Sequence, residues 1–252
     1  MDKLVWEQDF TDGKTDLQSW NIRLGNDLLD NEGNAIFPGW GNGEQQFYTD
    51  HPDNLSFGED GLQLCAHRET VEQEGRSFAY TSARLDTRDH FSYCYGRLVV
   101  RAKLPVGQGI WPAVWLLPQE QAYGLWPASG EIDILEAKGR LPRQIAGTLH
   151  YGPDHEHKVV EEFTYELESG TVNEFREYTL DWQPGIMRWL VDGYCFAERE
   201  LVQGIMPFDK PFYLLLNLAV GGWYDNVEVD HSALPAVMTV SGIRLYQSEE
   251  HM

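Results

Sequence analysis

The chain has 252 residues, 40 Asp and Glu against 19 Lys and Arg, and a formal net charge of -21. That excess of acid works against nucleic acid and anionic membrane as partners, because both are held by Lys and Arg, and it also disfavours an anionic polymer as substrate. The length suffices for a substantial core in one large domain, and no uninterrupted apolar stretch approaches the roughly 18 residues of a membrane span.

Taken in chain order, the elements read as strands. Residues 62–65 follow an Asp60-Gly61 turn, and residues 82–85 and 95–103 add two more short segments rich in aliphatic and aromatic side chains. Residues 178–182 form another, and residues 187–194 read as a hairpin with Asp192-Gly193 at its turn. Residues 212–220 form an apolar run broken only by Asn217, as suits the centre of a sandwich. Asn217 then needs buried partners or a cleft, since an unsatisfied amide in a core costs on the order of 1 to 3 kcal/mol. No long helical pattern, repeat or linker is present. The expectation is one all-β domain over residues 1–252, an antiparallel β-sandwich or jelly roll.

Cys65, Cys94 and Cys195 lie far apart and in no metal-ligand spacing. Buried free thiols are expected, with at most one pair able to close. Met1 leads directly into polar residues, so no signal-peptide pattern opens this chain and the compartment stays open on that ground. Asn54-Leu55-Ser56 fits a glycosylation sequon, and His155 and His157 sit in a polar loop where a metal role is not favoured.

Gly130-Glu131-Ile132-Asp133-Ile134-Leu135-Glu136 carries the chemistry. Alternation puts Glu131 and Asp133 on one face of a strand and Ile132 and Ile134 on the other. Strict alternation would send Glu136 into the apolar face, where an unpaired carboxylate is very costly. An extra residue near Ile134 and Leu135, a β-bulge, returns all three acids to one face. Crowded carboxylates repel and add no stability by themselves. Glycosidic cleavage gives them a use, since it needs one ionised carboxylate and one protonated carboxyl whose pKa values are driven apart. The competing reading is a solvent-facing acidic strand or a calcium site. Trp111, Trp115 and Trp126 all fall within the 20 residues before Glu131, and aromatic platforms beside polar groups suit the C–H faces of sugars.

The segment from Trp126 to Glu136, Trp-Pro-Ala-Ser-Gly-Glu-Ile-Asp-Ile-Leu-Glu, closely resembles the signature of glycoside hydrolase family 16 in its laminarinase-like branch. Trp40-Gly41-Asn42-Gly43-Glu44, Tyr80-Thr81-Ser82-Ala83-Arg84, Gly109-Ile110-Trp111-Pro112-Ala113-Val114-Trp115, Thr148-Leu149-His150 and Asn217-Leu218-Ala219-Val220-Gly221-Gly222 agree with it, so the likeness runs from Phe10 to about Gln247. The resemblance implies a concanavalin-like jelly roll with a concave glycan cleft, retention of configuration and attack within β-glucan chains. It implies Glu131 as nucleophile, Glu136 as general acid/base and Asp133 as helper between them. Two residues between Asp133 and Glu136 match the bulged laminarinase branch and favour β-1,3-glucan over mixed-linkage glucan or agar. Asn42, Glu44, Arg84, Trp111, Trp115, Trp126, His150 and Asn217 match positions lining the sugar subsites, with His150 expected to reach Glu136 or the sugar. The implied protein is a monomer acting on β-glucan, outside the cell or at its envelope, with a cytoplasmic place as the alternative. Binding-only relatives lack one or both glutamates, and this chain keeps all three acids.

One departure bears on cofactors. Relatives often hold calcium through an Asp in the last strand, where this chain has Ser241. No cofactor is required, and calcium, which prefers carboxylate oxygens, is disfavoured.

Overall fold

The apolar run around Asn217 is the strand Phe212–Val220, buried at every position. Burial on both faces requires a partner on each side and a layer above and below. In the computed structural model, which describes residues 2–13, 16–29 and 34–249, it lies between Ile110–Pro118 on one side and Arg84–Asp86 and Ser92–Tyr93 on the other, all antiparallel. Beyond Ile110–Pro118 the sheet continues through Glu131–Glu136 and Gln144–Tyr151 to the edge strand Val159–Glu166. Beyond Arg84–Asp86 it ends on the two-residue strand Asn21–Ile22.

A second antiparallel sheet backs the first, in the order Tyr194–Glu200, Ile186–Val191, Arg176–Gln183, Gly96–Lys103, Ala236–Gln247, Gly61–Ala66 and Leu55–Gly58, with Lys3–Asp9 added on Ala236–Gln247. Gly96–Lys103 shows why the layers meet as they do, since Leu98, Val100 and Ala102 are fully buried while Arg97 and Arg101 between them face solvent. The core joins Leu98, Val100, Leu180, Trp182 and Trp189 from this sheet to Leu116, Ile132, Leu149, Leu214, Leu216 and Leu218 from the other. Each such side chain taken out of water contributes roughly 1.5 to 3 kcal/mol. Among the described residues there is no α-helix, only the 3₁₀ turns Gly39–Gly41 and His231–Ala233. The antiparallel sandwich read from the sequence is the fold.

Three details differ from the sequence reading. The segment expected as one strand over 82–85 is two: Tyr80–Ser82 runs parallel to Gln46–Tyr48, and Arg84–Asp86 belongs to the sheet of Phe212–Val220. Cys195 is exposed and Cys65 and Cys94 are half-buried, so the three thiols are free but none is a core residue. Asn54 of the sequon is buried, its amide donating to the Cys65 carbonyl at 2.9 Å and to Thr81 Oγ1 at 3.0 Å, which leaves no nitrogen for a glycan. The hairpin at Asp192-Gly193 forms as expected, with both residues at positive φ, 48° and 81°.

Candidate active site

The register of Glu131–Glu136 against its two neighbours fixes where the acids point. Glu131 faces His150, Asp133 faces both Trp115 and Thr148, and Glu136 faces Ala113 and Ala146. Cross-strand partners share a face. On the Ile110–Pro118 side the pairing jumps from Leu135 to Asp133, leaving Ile134 without an opposite number. That is the bulge the alternation demanded, and it turns Glu136 outward while Ile132 and Leu135 stay in the core. Trp189 of the backing sheet holds it in place, its indole N–H donating to the Asp133 carbonyl at 2.8 Å. The ring lies under Gly147, where a Cβ would come within 2.3 Å of Trp189 Cδ1.

Each glutamate is gripped by one indole. Trp126 donates to Glu131 Oε2 at 2.7 Å, and Trp111 donates to Glu136 Oε1 at 3.0 Å, with Thr148 Oγ1 3.3 Å from Glu136 Oε2. His150 Nε2 lies 3.1 Å from Asp133 Oδ2 and 3.8 Å from Glu131 Oε1. The resemblance placed His150 against Glu136 or the sugar. It sits on the Asp133 and Glu131 side rather than against Glu136, because its strand position is opposite Glu131. Burial, then the charge of Asp133, push Glu131 up to about 7, with His150 and the Trp126 N–H pulling the other way. The same two causes hold Glu136 well above the carboxylate range. Burial alone would lower His150, but its contact with Asp133 and the charges of all three acids outweigh it and raise the imidazole to about 9.

These shifts have a defined sign in stability. A carboxyl whose pKa is raised by folding favours the folded state fully below its unfolded value, and that contribution is lost as pH rises through the folded value. Glu131→Gln is therefore expected to match the parent near pH 4. Above pH 7 it should be more stable by on the order of 3 kcal/mol, given about 1.4 kcal/mol per pH unit. Urea unfolding at the two pH values checks this, and equal stability at both would mean the acids are not mutually strained.

Beside the acids, the outer face is built from indoles and a buried polar relay. Trp115 donates to Asn217 Oδ1 at 2.7 Å, and the Asn217 amide donates to the Tyr48 hydroxyl at 3.1 Å. Tyr48 and Gln46 donate to Glu44 Oε2 at 2.8 and 2.6 Å, and Asn42 donates to Glu44 Oε1 at 3.1 Å. Asn217 and Glu44 are thus satisfied by buried partners, and they hold Trp115 and Asn42 in place. Arg84, 5% exposed, lies between the rings of Trp40 and Trp115, at 4.2 and 4.9 Å from their centroids, and makes no ion pair among the described residues. On the far side of the acids, Trp126 is 39% exposed, with Lys158 over its ring and the His155 ring 5.7 Å away. His157 of the same loop is taken up by Asp154 at 2.8 Å.

Sequence reasoning missed Trp40, Tyr48, Thr148 and Trp189. Trp40 has a signal in hindsight: it is flanked by Gly39, Gly41 and Gly43 and itself adopts a positive φ of 53°, a placement that presents the ring over Arg84. Trp189 has none, since a core Trp in a hairpin looks alike whether or not its N–H reaches across the sandwich.

At Ser241, where the resemblance would place a calcium ligand, the side chains present suit the ion poorly. Ser241 Oγ accepts from Arg101 Nη1 at 2.9 Å and donates to the Arg101 carbonyl at 3.2 Å, so a guanidinium sits against the one side chain that would face the ion. Asp9, nearby, is engaged by the N–H and hydroxyl of Thr11. Calcium needs six to eight oxygens, some of them carboxylate, and a resident guanidinium opposes it. Neither EDTA nor added calcium should move the melting temperature, and a calcium-dependent rise of several degrees would contradict this.

The family model described as glycosyl hydrolases family 16 matches residues 42–233. The chain belongs to glycosyl hydrolase family 16. As a family 16 chain it is 36% identical, over 98% of its length, to glucan endo-1,3-beta-glucosidase A1 of Niallia circulans, of which it spans 38%. It is 38% identical, over 97% of its length and 85% of the relative's, to a beta-glucanase of Rhodothermus marinus. The laminarinase catalytic domain of Thermotoga maritima superposes with a TM-score of 0.85 at 35% identity, covering 98% of both chains. The family 16 hydrolase is thus an enzyme by kinship as well as by its carboxylates.

Proposed function

We propose that this family 16 hydrolase cuts internal β-1,3-glucosidic bonds of laminarin-type glucans with retention of configuration. The observation that carries the reading is the bulged strand, which sets Glu131 and Glu136 on one outer face with Asp133 between them and an indole N–H on each glutamate. Glu131 serves as the carboxylate, with His150 Nε2 3.8 Å away and Lys158 adding to its support, and its charge in turn favours the proton on Glu136. The Glu131 oxygen forms a bond to the anomeric carbon as the glycosidic C–O bond breaks, and the departing oxygen takes the proton of Glu136. Glu136, now a base, takes a proton from water. The hydroxide so formed attacks the same carbon and frees Glu131, for two inversions and net retention. Asp133 and His150 hold the charge between these states without leaving the strand face.

Trp40, Trp115, Trp111 and Trp126 supply platforms for glucose rings, and Arg84 and Asn42 supply donors to their hydroxyls. The reading takes the enzyme as a monomer, and a polymer substrate favours action outside the cell or at its envelope. The likeness to named endo-1,3-glucosidases and to a laminarinase domain supports the linkage. Reducing-sugar release from laminarin, barley β-glucan and agarose tests it. Fast release of short laminari-oligosaccharides, with a newly formed β-anomer seen first by NMR, is the expected result. Faster cleavage of barley β-glucan would move the assignment to mixed-linkage glucan, and binding of laminarin without release would leave a glucan-binding protein.

A further inference from the structure

Trp111, the indole that holds Glu136, is itself held by a second aromatic ring. Tyr224 stacks on it, with ring centroids 5.0 Å apart and planes at 26°. Lys138 Nζ lies 4.5 Å from the centre of the Tyr224 ring. The three groups and Glu136 make one column, from ammonium to phenol ring to indole to carboxyl. Lys138 follows Glu136 by two residues, so both ends of the column leave the same short stretch of chain.

The loop that carries Tyr224 is fixed around this column. It leaves Phe212–Val220 through Gly221 and Gly222, both at positive φ, and a Cβ at Gly222 would lie 3.0 Å from Trp111 Cζ3. Asp225, next to Tyr224, is nearly buried and takes Arg140 Nε at 2.7 Å. Arg140 lies just beyond Lys138, so the loop is pinned back onto the segment that follows the carboxylate strand. Nothing in the double displacement itself uses Tyr224, Lys138, Arg140 or Asp225.

We infer that Tyr224, backed by Lys138, is a positioning residue for proton delivery: it sets the plane of Trp111, and through the indole N–H the direction in which Glu136 presents its proton. The ammonium over the phenol ring and the indole stacked on it limit both tilt and slide. A carboxyl that swings on its strand meets the glycosidic oxygen at a poorer angle, and a displacement of about 1 Å can cost on the order of 10²-fold in rate. This inference rests on Glu136 being the acid/base.

Its test separates proton delivery from sugar binding by changing the leaving group. A laminari-oligosaccharide needs its departing oxygen protonated, whereas 2,4-dinitrophenolate leaves unaided. The measurement is kcat/KM, which reports the first bond cleavage, on laminaritetraose and on 2,4-dinitrophenyl β-laminaribioside. Tyr224→Ala is expected to lose about 10²-fold on the tetraose and only a few-fold on the aryl glycoside. Tyr224→Phe, which keeps the ring, should restore parent behaviour on both. Lys138→Met, on a half-buried side chain, should split the two substrates in the same sense by less, and it supplies the reading if Tyr224→Ala fails to fold. Equal losses on the two substrates, or none on either, would overturn the inference. Glu136→Ala is run beside them. If it fails to split the substrates, the acid/base assignment falls; if it splits them and the Tyr224 and Lys138 variants do not, only the column falls.

Discussion

Glu131→Ser should lower laminarin hydrolysis by on the order of 10⁴-fold or more, as loss of a nucleophile does elsewhere. Binding of laminarin should persist, because Trp40, Trp115 and Arg84 do not depend on Glu131 for their own positions, and only Trp126 loses a hydrogen bond to it. Azide then distinguishes the two glutamates by stereochemistry. In Glu131→Ser, azide attacks the anomeric carbon directly on an activated aryl glycoside and gives the α-azide, a single inversion. In Glu136→Ala, Glu131 still forms the glycosyl ester and azide displaces it, which gives the β-azide. Proton NMR of the products reads the answer. The reverse pair of anomers would exchange the two roles, and no azide adduct from either variant would remove the double displacement.

The second large effect belongs to a residue on the opposite sheet. Trp189 is fully buried, donates to the Asp133 carbonyl and fills the space under Gly147. Trp189→Phe leaves that carbonyl unpaired in the core at a cost of about 1 to 3 kcal/mol, and Trp189→Ala adds a cavity for a total of about 3 to 5 kcal/mol. Gly147→Ala should destabilise in the same way from the other side, by forcing a Cβ into the indole. Urea unfolding gives the stabilities. The informative quantity is kcat per folded molecule in Trp189→Phe, which should fall because the bulge loses its hydrogen bond to the backing sheet. An unchanged kcat would mean that the strand and its neighbours hold the bulge unaided.

The sandwich was legible because its central strands are extreme in composition: residues 212–220 and 95–103 admit little but a buried and a half-buried strand. The bulge was legible for a sharper reason, since three acids and an apolar face cannot be reconciled on a straight strand. Edge strands were not, and Val159–Glu166, with both valines exposed and only Phe163 and Tyr165 alternating toward the core, carries too short an apolar pattern to read. The break at Ala83 was equally hidden, because local composition says nothing of a chain that changes sheets. At the site, residue types indicated the acids and indoles. The sequence did not indicate that Glu44 and Asn217 would be consumed by Tyr48, Gln46 and Trp115, or that His150 would turn to Asp133, since these depend on which strands become neighbours.

The unmatched residue at Ile134 also says something about how such a site changes over time. Without it the segment would read acid, aliphatic, acid, aliphatic, acid, and all three acids would still face outward on an ordinary pleat. Loss of one codon therefore leaves every carboxylate on its proper side and draws Glu136 toward Asp133 by about one residue's rise, roughly 3.3 Å. The spacing of the two glutamates is thus a heritable length, adjustable in a single step at the expense of one core side chain, since Ile134 is buried. The bulge residue therefore serves two ends at once, setting the distance between the acids and filling the core beneath them.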